Sequence, residues 1–277
     1  MLLDQIEDPV FREAVELLDA GDAERLRIHL NTHPSLVRQR VKFEGRNYFS
    51  SPALLEFAAE NPIRRGTLPP RIEEVVRVIL DAGAKADQAS IDETLGLVCS
   101  GRVARECGVQ IPLLHLLCDY GANPNVAMLP ALGHGEFEAV EALIQRGAAV
   151  TLAVAAATGR TQVTRELLAC ATEPEGHLAL ALAAQHGHTE AVRLLLQAGT
   201  DPGRFNPTGA HAHSTPLHQA ALYGHEGVVE LLVEHGACLD VKDLSFGGTP
   251  LGWAIHGQQA GTERILRRAV DCAEGRN

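Results

Sequence analysis

The chain has 277 residues, of which 45% are hydrophobic and 4% aromatic, and it carries a net charge of −11. This acidic balance disfavours binding to the phosphate backbone of nucleic acids, and the hydrophobic content argues against disorder. The N-terminus has early acids and no basic segment, and no apolar run approaches 18 residues. The sequence therefore predicts a cytoplasmic protein without a secretory signal or a membrane span.

Short helices are predicted in the first third of the chain, with an insertion between two of them. Residues 11–31 place apolar side chains at helical spacing and break at Gly21, which favours a pair of helices. Residues 51–84 predict a second pair, interrupted by residues 62–71. Because three prolines and a glycine forbid a helix in this insertion, two alternatives stay open for it, a tolerated surface loop or a binding element.

The spacing of glycines predicts how the middle of the chain is organised. Gly121 and Gly147 lie 26 residues apart, which leaves room for two helices and tight turns but not for a longer loop. Gly199 and Gly236 lie 37 residues apart, which does leave that room. Long loops are therefore expected toward the C-terminus, at residues 199–215 and 237–249.

The most regular stretch is STPLHQAALYGHEGVVELLVEHG, residues 214–236. Thr215 can cap a helix, and Pro216 suits its first turn because proline has no N–H to leave unpaired there. Gly224 and Gly236 end the two helices, since glycine enters the left-handed conformation without a Cβ penalty. Helices this short do not persist alone in water, so the unit must stack on similar units. Related patterns flank it at residues 178–199 and 247–257.

The hexapeptide TPLHQA, residues 215–220, resembles the signature of the ankyrin repeat, a β-turn followed by two helices. Thr249, Pro250 and Leu251 give a weaker match. The resemblance implies an all-α ankyrin-repeat solenoid of about seven to eight helix pairs with short β-turn fingers. It also implies a single domain over residues 1–277, with an N-terminal capping repeat at 10–48, internal repeats at 49–243 and a C-terminal capping repeat at 244–277.

The histidines of the repeats have a structural interpretation under this resemblance. His218 fills the histidine position of the signature, where the side chain ties neighbouring repeats together through hydrogen bonds. His188 and His225 follow a glycine and open the second helix of their repeats. We therefore expect these three side chains to hold the fold rather than to carry chemistry.

No pattern in the sequence predicts catalysis. A nucleophile elbow, a phosphate-binding glycine loop, an H-E-x-x-H motif and a dinucleotide fingerprint do not occur. The six cysteines form no C-x-x-C pair, which favours buried thiols in a reducing compartment. A zinc site made of Cys107, His115 and Cys118 is the alternative. We expect no catalytic residue, no cofactor and no metal.

A binding surface is predicted where the repeats are aligned on their mid-repeat glycines, with Gly257 taken as that glycine in the last repeat. The residues just before these glycines end the inner helices and face the concave surface of the ankyrin fold. Trp253, the only tryptophan, and Tyr223 are of the types that anchor protein interfaces. The predicted protein-binding residues are Gln185, His186, His211, His213, Leu222, Tyr223, Phe246, Trp253, Ile255 and His256. The alternative is that exposed helix ends collect assorted polar residues.

These residues and the resemblance predict a non-catalytic scaffold that binds a partner protein through its concave face and finger loops. The scaffold is expected to be a monomer with neither nucleic acid nor membrane as a partner. The alternative function is an enzyme or regulatory subunit with a histidine–carboxylate site near residues 62–71, in which His134 takes part. A deep cleft with a buried histidine–carboxylate pair would favour the enzyme, and an open groove would favour the scaffold.

Overall fold

The structure is a computed structural model that describes residues 3–43, 49–273 and 275. These residues form helices and turns without a β-strand, which confirms the predicted all-α class. The chain divides into two compact units, Met1–Ala149 and Val150–Asn277. None of the described helices is both long and apolar enough to cross a bilayer.

The predicted capping repeats extend beyond the described residues. Residues 44–48 of the N-terminal one, and residues 274, 276 and 277 of the C-terminal one, lie outside them. The single-domain organisation, the capping repeats and the number of repeats stay predictions.

The first unit begins with the helix pair that the sequence predicts. Asp8 caps its first helix, since one carboxylate oxygen accepts a hydrogen bond from the Val10 N–H at 2.9 Å, and Gly21 ends that helix in the left-handed conformation. The α-helices of this unit are α1 (Pro9–Ala20), α2 (Ala23–Thr32), α3 (Ile72–Asp81), α4 (Gln88–Cys99), α5 (Arg102–Glu106), α6 (Gln110–Asp119), α7 (Met128–Gly133) and α8 (Phe137–Gln145). Short 3-10 helices occur at Leu3–Gln5, Pro34–Arg38, Leu54–Ala59 and Ala84–Ala86.

The first helix predicted within residues 51–84 is a 3-10 helix, Leu54–Ala59, and not an α-helix. Pro52 and Pro62 lie close on either side, and Glu60 turns into the left-handed conformation with a φ of 50°. Neither proline can donate a backbone N–H, and the left-handed Glu60 ends the 3-10 helix after Ala59.

The insertion at residues 62–71 is a packed loop. The buried Glu60 carboxylate accepts a hydrogen bond from the Arg64 N–H at 2.7 Å. The Arg64 side chain is only 5% exposed, and its guanidinium lies 2.8 Å from Asp19 of α1 and 3.0 Å from Glu60. Breaking such a buried group would leave a charge without compensation, at a cost of about 3–5 kcal/mol. The loop is therefore fixed to α1.

Glu56 of the 3-10 helix is a buried carboxyl group with shared partners. Its side chain is 1% exposed, and one oxygen accepts a hydrogen bond from the Ser90 hydroxyl at 3.1 Å. The Arg40 guanidinium lies 3.3 Å from Glu56 but also 3.6 Å from Glu93 and 3.9 Å from Asp87. Burial, together with the Glu93 carboxylate, raises the pKa of Glu56 to about 7.

The described residues of the second unit form four stacked helix pairs. The first helix of each pair packs against the first helix of the next pair, and the second helices pack in the same way. We call the first helices inner and the second ones outer. The helices are α9 (Leu152–Ala157), α10 (Thr161–Leu168), α11 (Glu173–Gln185), α12 (Thr189–Gln197), α13 (Pro216–Leu222), α14 (Glu226–Glu234), α15 (Pro250–His256) and α16 (Ala260–Ala273).

The core between the pairs combines small and branched side chains. Alanines of the inner helices, such as Ala183 and Ala220, are fully buried and allow close approach between helices. Val192, Leu195 and Leu232 of the outer helices fill the space beside them. Neighbouring pairs thus share one continuous apolar layer, as expected of a solenoid in which each repeat packs on its neighbours.

Long loops join the pairs where glycine spacing predicted them. Only a short turn, residues 169–172, connects α10 to α11, whereas the connections before α13 and α15 are long. We call these two connections the first finger, residues 198–215, and the second finger, residues 235–249. The Leu244 N–H donates to the His213 carbonyl at 2.8 Å, so the second finger is hydrogen-bonded to the first.

The buried imidazole of His218 ties α13 to the second finger. The Thr215 N–H donates to Nδ1 at 3.2 Å, and Nε2 donates to the Gly248 carbonyl at 3.0 Å. Both bonds require a neutral ring with its proton on Nε2. Burial lowers the pKa of His218, against the opposing effect of the Gly248 bond, and so favours that neutral form. His218 therefore has the role between repeats that the resemblance implied.

A second contact between neighbouring helix pairs recurs along the second unit. The residue just before an outer helix lies over the mid-repeat glycine of the preceding pair. A Cβ added to Gly187 would lie 2.5 Å from Nδ1 of His225, and one added to Gly159 would lie 2.7 Å from Nδ1 of His188. Nε2 of His225 also lies 2.9 Å from the Gln185 carbonyl. Glycine is required for two reasons at these positions, the left-handed backbone and the lack of space.

Replacing Glu56 with glutamine is expected to reduce the stability that the protein loses between pH 5 and pH 8. The pKa of about 7 in the folded protein exceeds the ordinary 4.5, so the stability that Glu56 contributes is complete below pH 4.5 and is lost as the pH rises through 7. The loss amounts to roughly 3 kcal/mol, and the glutamine does not titrate. Urea unfolding followed by circular dichroism at several pH values measures the difference.

The control for this measurement is Glu106→Gln, at an exposed position of α5 in the same unit. It should keep the pH dependence of the wild type. If the free energy of unfolding changed with pH in the same way for the wild type and for Glu56→Gln, the prediction would be contradicted.

Replacing His218 with alanine is expected to destabilise the protein by about 1–3 kcal/mol, because the buried Thr215 N–H and the partly buried Gly248 carbonyl lose their hydrogen-bond partner. The pKa of His218 in the folded protein lies below the ordinary 6.5, so the neutral ring contributes its full stability above pH 6.5 and loses it as the pH falls through that lower value. The variant should therefore be less sensitive to acid. Urea unfolding followed by Trp253 fluorescence measures both effects, since the two rings lie 5.1 Å apart.

His235→Ala, at an exposed position just after α14, is the matched control and should unfold like the wild type. A His218→Ala protein as stable as the wild type at pH 7.5 would show that the two buried bonds contribute nothing.

Candidate functional site

A pocket of about 460 Å³ lies in the second unit, where α13, α15 and the second finger meet. We call it the apolar pocket. It is lined by Leu222, Phe246, Gly248, Gly252, Trp253 and His256. Four residues of the predicted surface, Leu222, Phe246, Trp253 and His256, are thus brought together. A volume of this size lies within the range of pockets that bind small ligands.

The indole of Trp253 is held from several sides. Its Nε1–H donates to Asp243 at 3.0 Å. The centre of its ring lies 5.1 Å from the His218 ring, in an edge-on arrangement, and 5.8 Å from the His213 ring. A Cβ added to Gly248 would lie 3.0 Å from the indole, so the ring packs directly on that backbone. Trp253 is half-buried, and its position is fixed by contacts within the protein.

The Asp243 carboxylate organises the tip of the second finger. One oxygen accepts hydrogen bonds from the N–H groups of Ser245 at 2.9 Å and Phe246 at 2.7 Å. The other accepts from the Gly248 N–H at 2.7 Å and from Trp253. Burial alone would raise the pKa of Asp243, but these four bonds hold it well below its usual range. A single carboxylate therefore joins the finger to the indole.

Exposed apolar side chains lie at and beside this pocket. Phe246 is 82% exposed, and Leu244, two residues earlier in the same finger, is 71% exposed. Tyr223, directly after the pocket residue Leu222, is 49% exposed. Such side chains normally lie scattered over the surface of a protein, and their concentration marks this region.

The sequence alignment of the last repeat is wrong by one residue. The left-handed position after α15 belongs to Gln258, with a φ of 57°, and not to Gly257, with a φ of −74°. Gly257 is needed for space, because a Cβ there would lie 2.4 Å from the Leu222 carbonyl oxygen. His256 is therefore the equivalent of Leu222, which explains why both line the apolar pocket.

Under the corrected alignment, Ile255 is no longer the equivalent of Leu222. Its equivalent in α13 is Ala221, which is fully buried because α13 lies between α11 and α15. The described residues contain no inner helix beyond α15, and Ile255 is 48% exposed. Ile255 does not line the apolar pocket.

The remaining predicted residues lie outside the lining of the pocket. Gln185 is 4% exposed, so its side chain is not presented at the surface, contrary to the prediction. The helix end that carries it is covered by the His225 ring. His186, the next residue, is half-buried. His211 and His213 are half-buried in the first finger with their rings 6.1 Å apart, and the His213 ring lies 5.8 Å from that of Trp253.

The sequence analysis missed the lining residues Gly248 and Gly252, and also Asp243 and Leu244 of the second finger. Asp243 stands before Leu-Ser-Phe-Gly-Gly, and an aspartate ahead of a turn is a recognised signal for side-chain bonds to the turn's own N–H groups. That signal could have revealed its role in the finger. Its bond to Trp253, ten residues later, has no counterpart in the local sequence.

The alternative site near residues 62–71 was predicted to involve His134, and this exposed residue lines a groove of about 480 Å³ in the first unit. Asp92 and Glu93 line the same groove. Asp92 accepts hydrogen bonds from the Asn123 N–H at 2.7 Å and from Gln88, and Glu93 lies 3.6 Å from Arg40. Both carboxylates are thus engaged by neighbouring segments of the fold.

The cysteines differ from the prediction of buried thiols. The structure describes all six and buries only Cys99; Cys118 is half-buried and the other four are exposed. Most of these cysteines lie at or beyond helix ends, which periodicity alone does not place inside. Within the described part of the chain, no group of three or more histidine, cysteine, aspartate or glutamate side chains is arranged to hold a metal ion.

Comparison with known protein families agrees with the helix pairs. A family model for ankyrin repeats matches residues 128–206 with three copies, a range that contains α7 to α12. A second model for a single ankyrin repeat matches residues 213–244, which contain α13 and α14. A search of curated proteins found no match. From the helix pairs and these family matches, the chain contains ankyrin repeats within residues 128–244.

Proposed function

We propose that this ankyrin-repeat protein is a non-catalytic scaffold that binds a partner protein through the surface around the apolar pocket. Ankyrin repeats are generally protein–protein interaction modules, and ankyrin-repeat proteins are typically not enzymes. The proposed contact surface consists of the ends of α13 and α15 and both fingers. In this proposal the scaffold acts as a monomer.

The observation that carries the proposal is the exposure of Phe246, Leu244 and Tyr223 beside a preformed apolar pocket. Leaving such side chains in water forgoes the free energy of burial, roughly 25 cal/mol for each Å² of apolar surface. A partner that covers them recovers it. Elsewhere in the described second unit, the large apolar side chains with comparable exposure are Ile255 and, at 37%, Leu167.

The polar residues of the surface have a second role in this proposal. His256 lines the pocket and is exposed, so its ring can exchange hydrogen bonds with a bound partner. His186, His211 and His213 are proposed to lie at the edge of the contact, where polar groups fix orientation more than they add affinity. Gln185 is left out because its side chain is buried.

The test is affinity capture with crosslinking from the native cell lysate, with mass spectrometry to identify the captured protein. The double variant Tyr223→Ala, Phe246→Ala should lose the partner that the wild type captures, because truncated anchors at an interface typically cost 2 kcal/mol or more each. Both side chains are exposed, so the fold should survive, and circular dichroism checks this. Trp253 is left intact because its contacts also support the finger.

Leu167→Ala is the matched control, an exposed leucine of α10 away from the pocket lining, and it should capture the partner like the wild type. A partner captured equally well by the double variant would place the contact elsewhere on the protein and refute the proposed surface.

A further inference from the structure

The apolar pocket has one carboxylate behind its wall, and that carboxylate has no acceptor capacity to spare. Asp243 is 3% exposed and each of its oxygens accepts two hydrogen bonds. The Nε1–H of Trp253 is used in the same cluster. The remaining lining is aliphatic, aromatic or glycine, apart from His256, which is exposed to solvent.

We propose that the apolar pocket receives one uncharged aromatic or branched aliphatic side chain of the partner, and that Asp243 is the residue that positions its walls. The inference rests on the proposed function and adds the chemistry of the central contact. We call the partner's side chain the anchor.

A charged anchor is disfavoured by the composition of the pocket. An ammonium or guanidinium group would need a carboxylate, and the nearby one is saturated with N–H donors. A carboxylate anchor would need N–H donors. Those of Ser245, Phe246 and Gly248 already point at Asp243, and the ring of His256 is exposed to solvent at the edge of the lining. Burying an unpaired charge costs more than an apolar contact returns. An uncharged apolar side chain meets none of these penalties.

The walls of the pocket are set before the anchor arrives. Asp243 fixes the backbone at Phe246 and Gly248 on the finger side and the indole of Trp253 on the helix side. The rings of His213 and His218 support the indole from behind. A preformed pocket spares the entropy of ordering these side chains on binding, which favours tight seating of a single anchor.

An isosteric substitution at Asp243 tests this positioning role separately from the overall folding of the protein. In Asp243→Asn one of the two oxygens becomes an NH₂ group, which faces two N–H donors instead of accepting from them. Either the finger N–H groups or the pair of Gly248 and Trp253 then loses its acceptor. Trp253 is the only tryptophan, so its fluorescence reports directly on the change.

The experiment is selection from a displayed library of random peptides against the immobilised full chain, followed by fluorescence titration of Trp253 with the selected peptides. We expect the peptides to share one aromatic or branched aliphatic residue, whose replacement by alanine, lysine or aspartate abolishes binding. Binding should change the Trp253 emission. Asp243→Asn should alter that emission without peptide and lower the affinity by about tenfold or more, which corresponds to about 1.4 kcal/mol.

Asp240→Asn is the matched control, an exposed aspartate of the same finger, and should bind like the wild type. Gly252→Leu provides a second variant that leaves the Asp243 bonds in place. A Cβ at Gly252 has no neighbour closer than 3.6 Å, and the added side chain extends from a residue that lines the pocket. This variant should fold, keep the unbound Trp253 emission close to that of the wild type, and lose peptide binding.

Peptides that depend on a charged residue, or that bind Gly252→Leu as tightly as the wild type, would overturn the inference. So would a selection that yields no peptide able to perturb Trp253. None of these outcomes decides the proposed function, which is tested separately by capture with the Tyr223→Ala, Phe246→Ala variant. A partner lost by that variant but still bound by Gly252→Leu would uphold the scaffold and refute the anchor.

Discussion

Helices as short as α13 and α15 do not persist alone in water, and a buried imidazole joins them. His218 accepts a hydrogen bond at the start of α13 and donates one to the carbonyl of Gly248 in the second finger. The finger held in this way carries Asp243, and Asp243 holds the indole of Trp253 on α15. The same buried bonds that stack one repeat on the next thus also build the apolar pocket.

The contacts that stack neighbouring repeats also hold the walls of the pocket, so keeping those walls rigid requires little additional free energy. The ring of His218 supports Trp253, and the Gly248 backbone lies directly against the indole. Asp243 stays ionised because four N–H groups surround it. The polar groups are satisfied inside the protein, and the apolar groups Phe246, Leu244 and Tyr223 are left outside. This distribution is the reverse of what folding alone would favour, which is why it points to a partner.

In the first unit, buried charged side chains connect separate segments of the chain, whereas histidine side chains do so in the second unit. Arg64 lies between Asp19 and Glu60 with almost no exposure, and it fixes the proline-rich insertion to α1. Glu56 shares one arginine with two other carboxylates, and the pKa of its carboxyl rises to about 7 as a result of burial and the nearby charge. Buried charges of this kind stabilise a unique arrangement only while every partner is present.

The sequence by itself predicted the helix pairs of the second unit and which connections between them are long. Thr215, Pro216 and Gly224 specify the start and end of a helix through local backbone chemistry, and the distances between glycines specified which connections are long. His218 could be assigned correctly because its position in the signature carries its role. Features of this kind depend on residues only a few positions apart, so a single chain reveals them.

The tertiary structure alone decided which side chains line the apolar pocket and which are exposed beside it. Gly257 reads as a stop glycine, yet Gln258 takes the left-handed position, and residue 257 is glycine because Leu222 of the preceding inner helix leaves no room for a side chain there. Gln185 is buried, and its carbonyl is bonded to the His225 ring, forty residues later in the chain. Asp243 serves the pocket only because the finger folds back onto Trp253. These outcomes depend on contacts between residues distant in the sequence, and helical periodicity carries no information about such contacts.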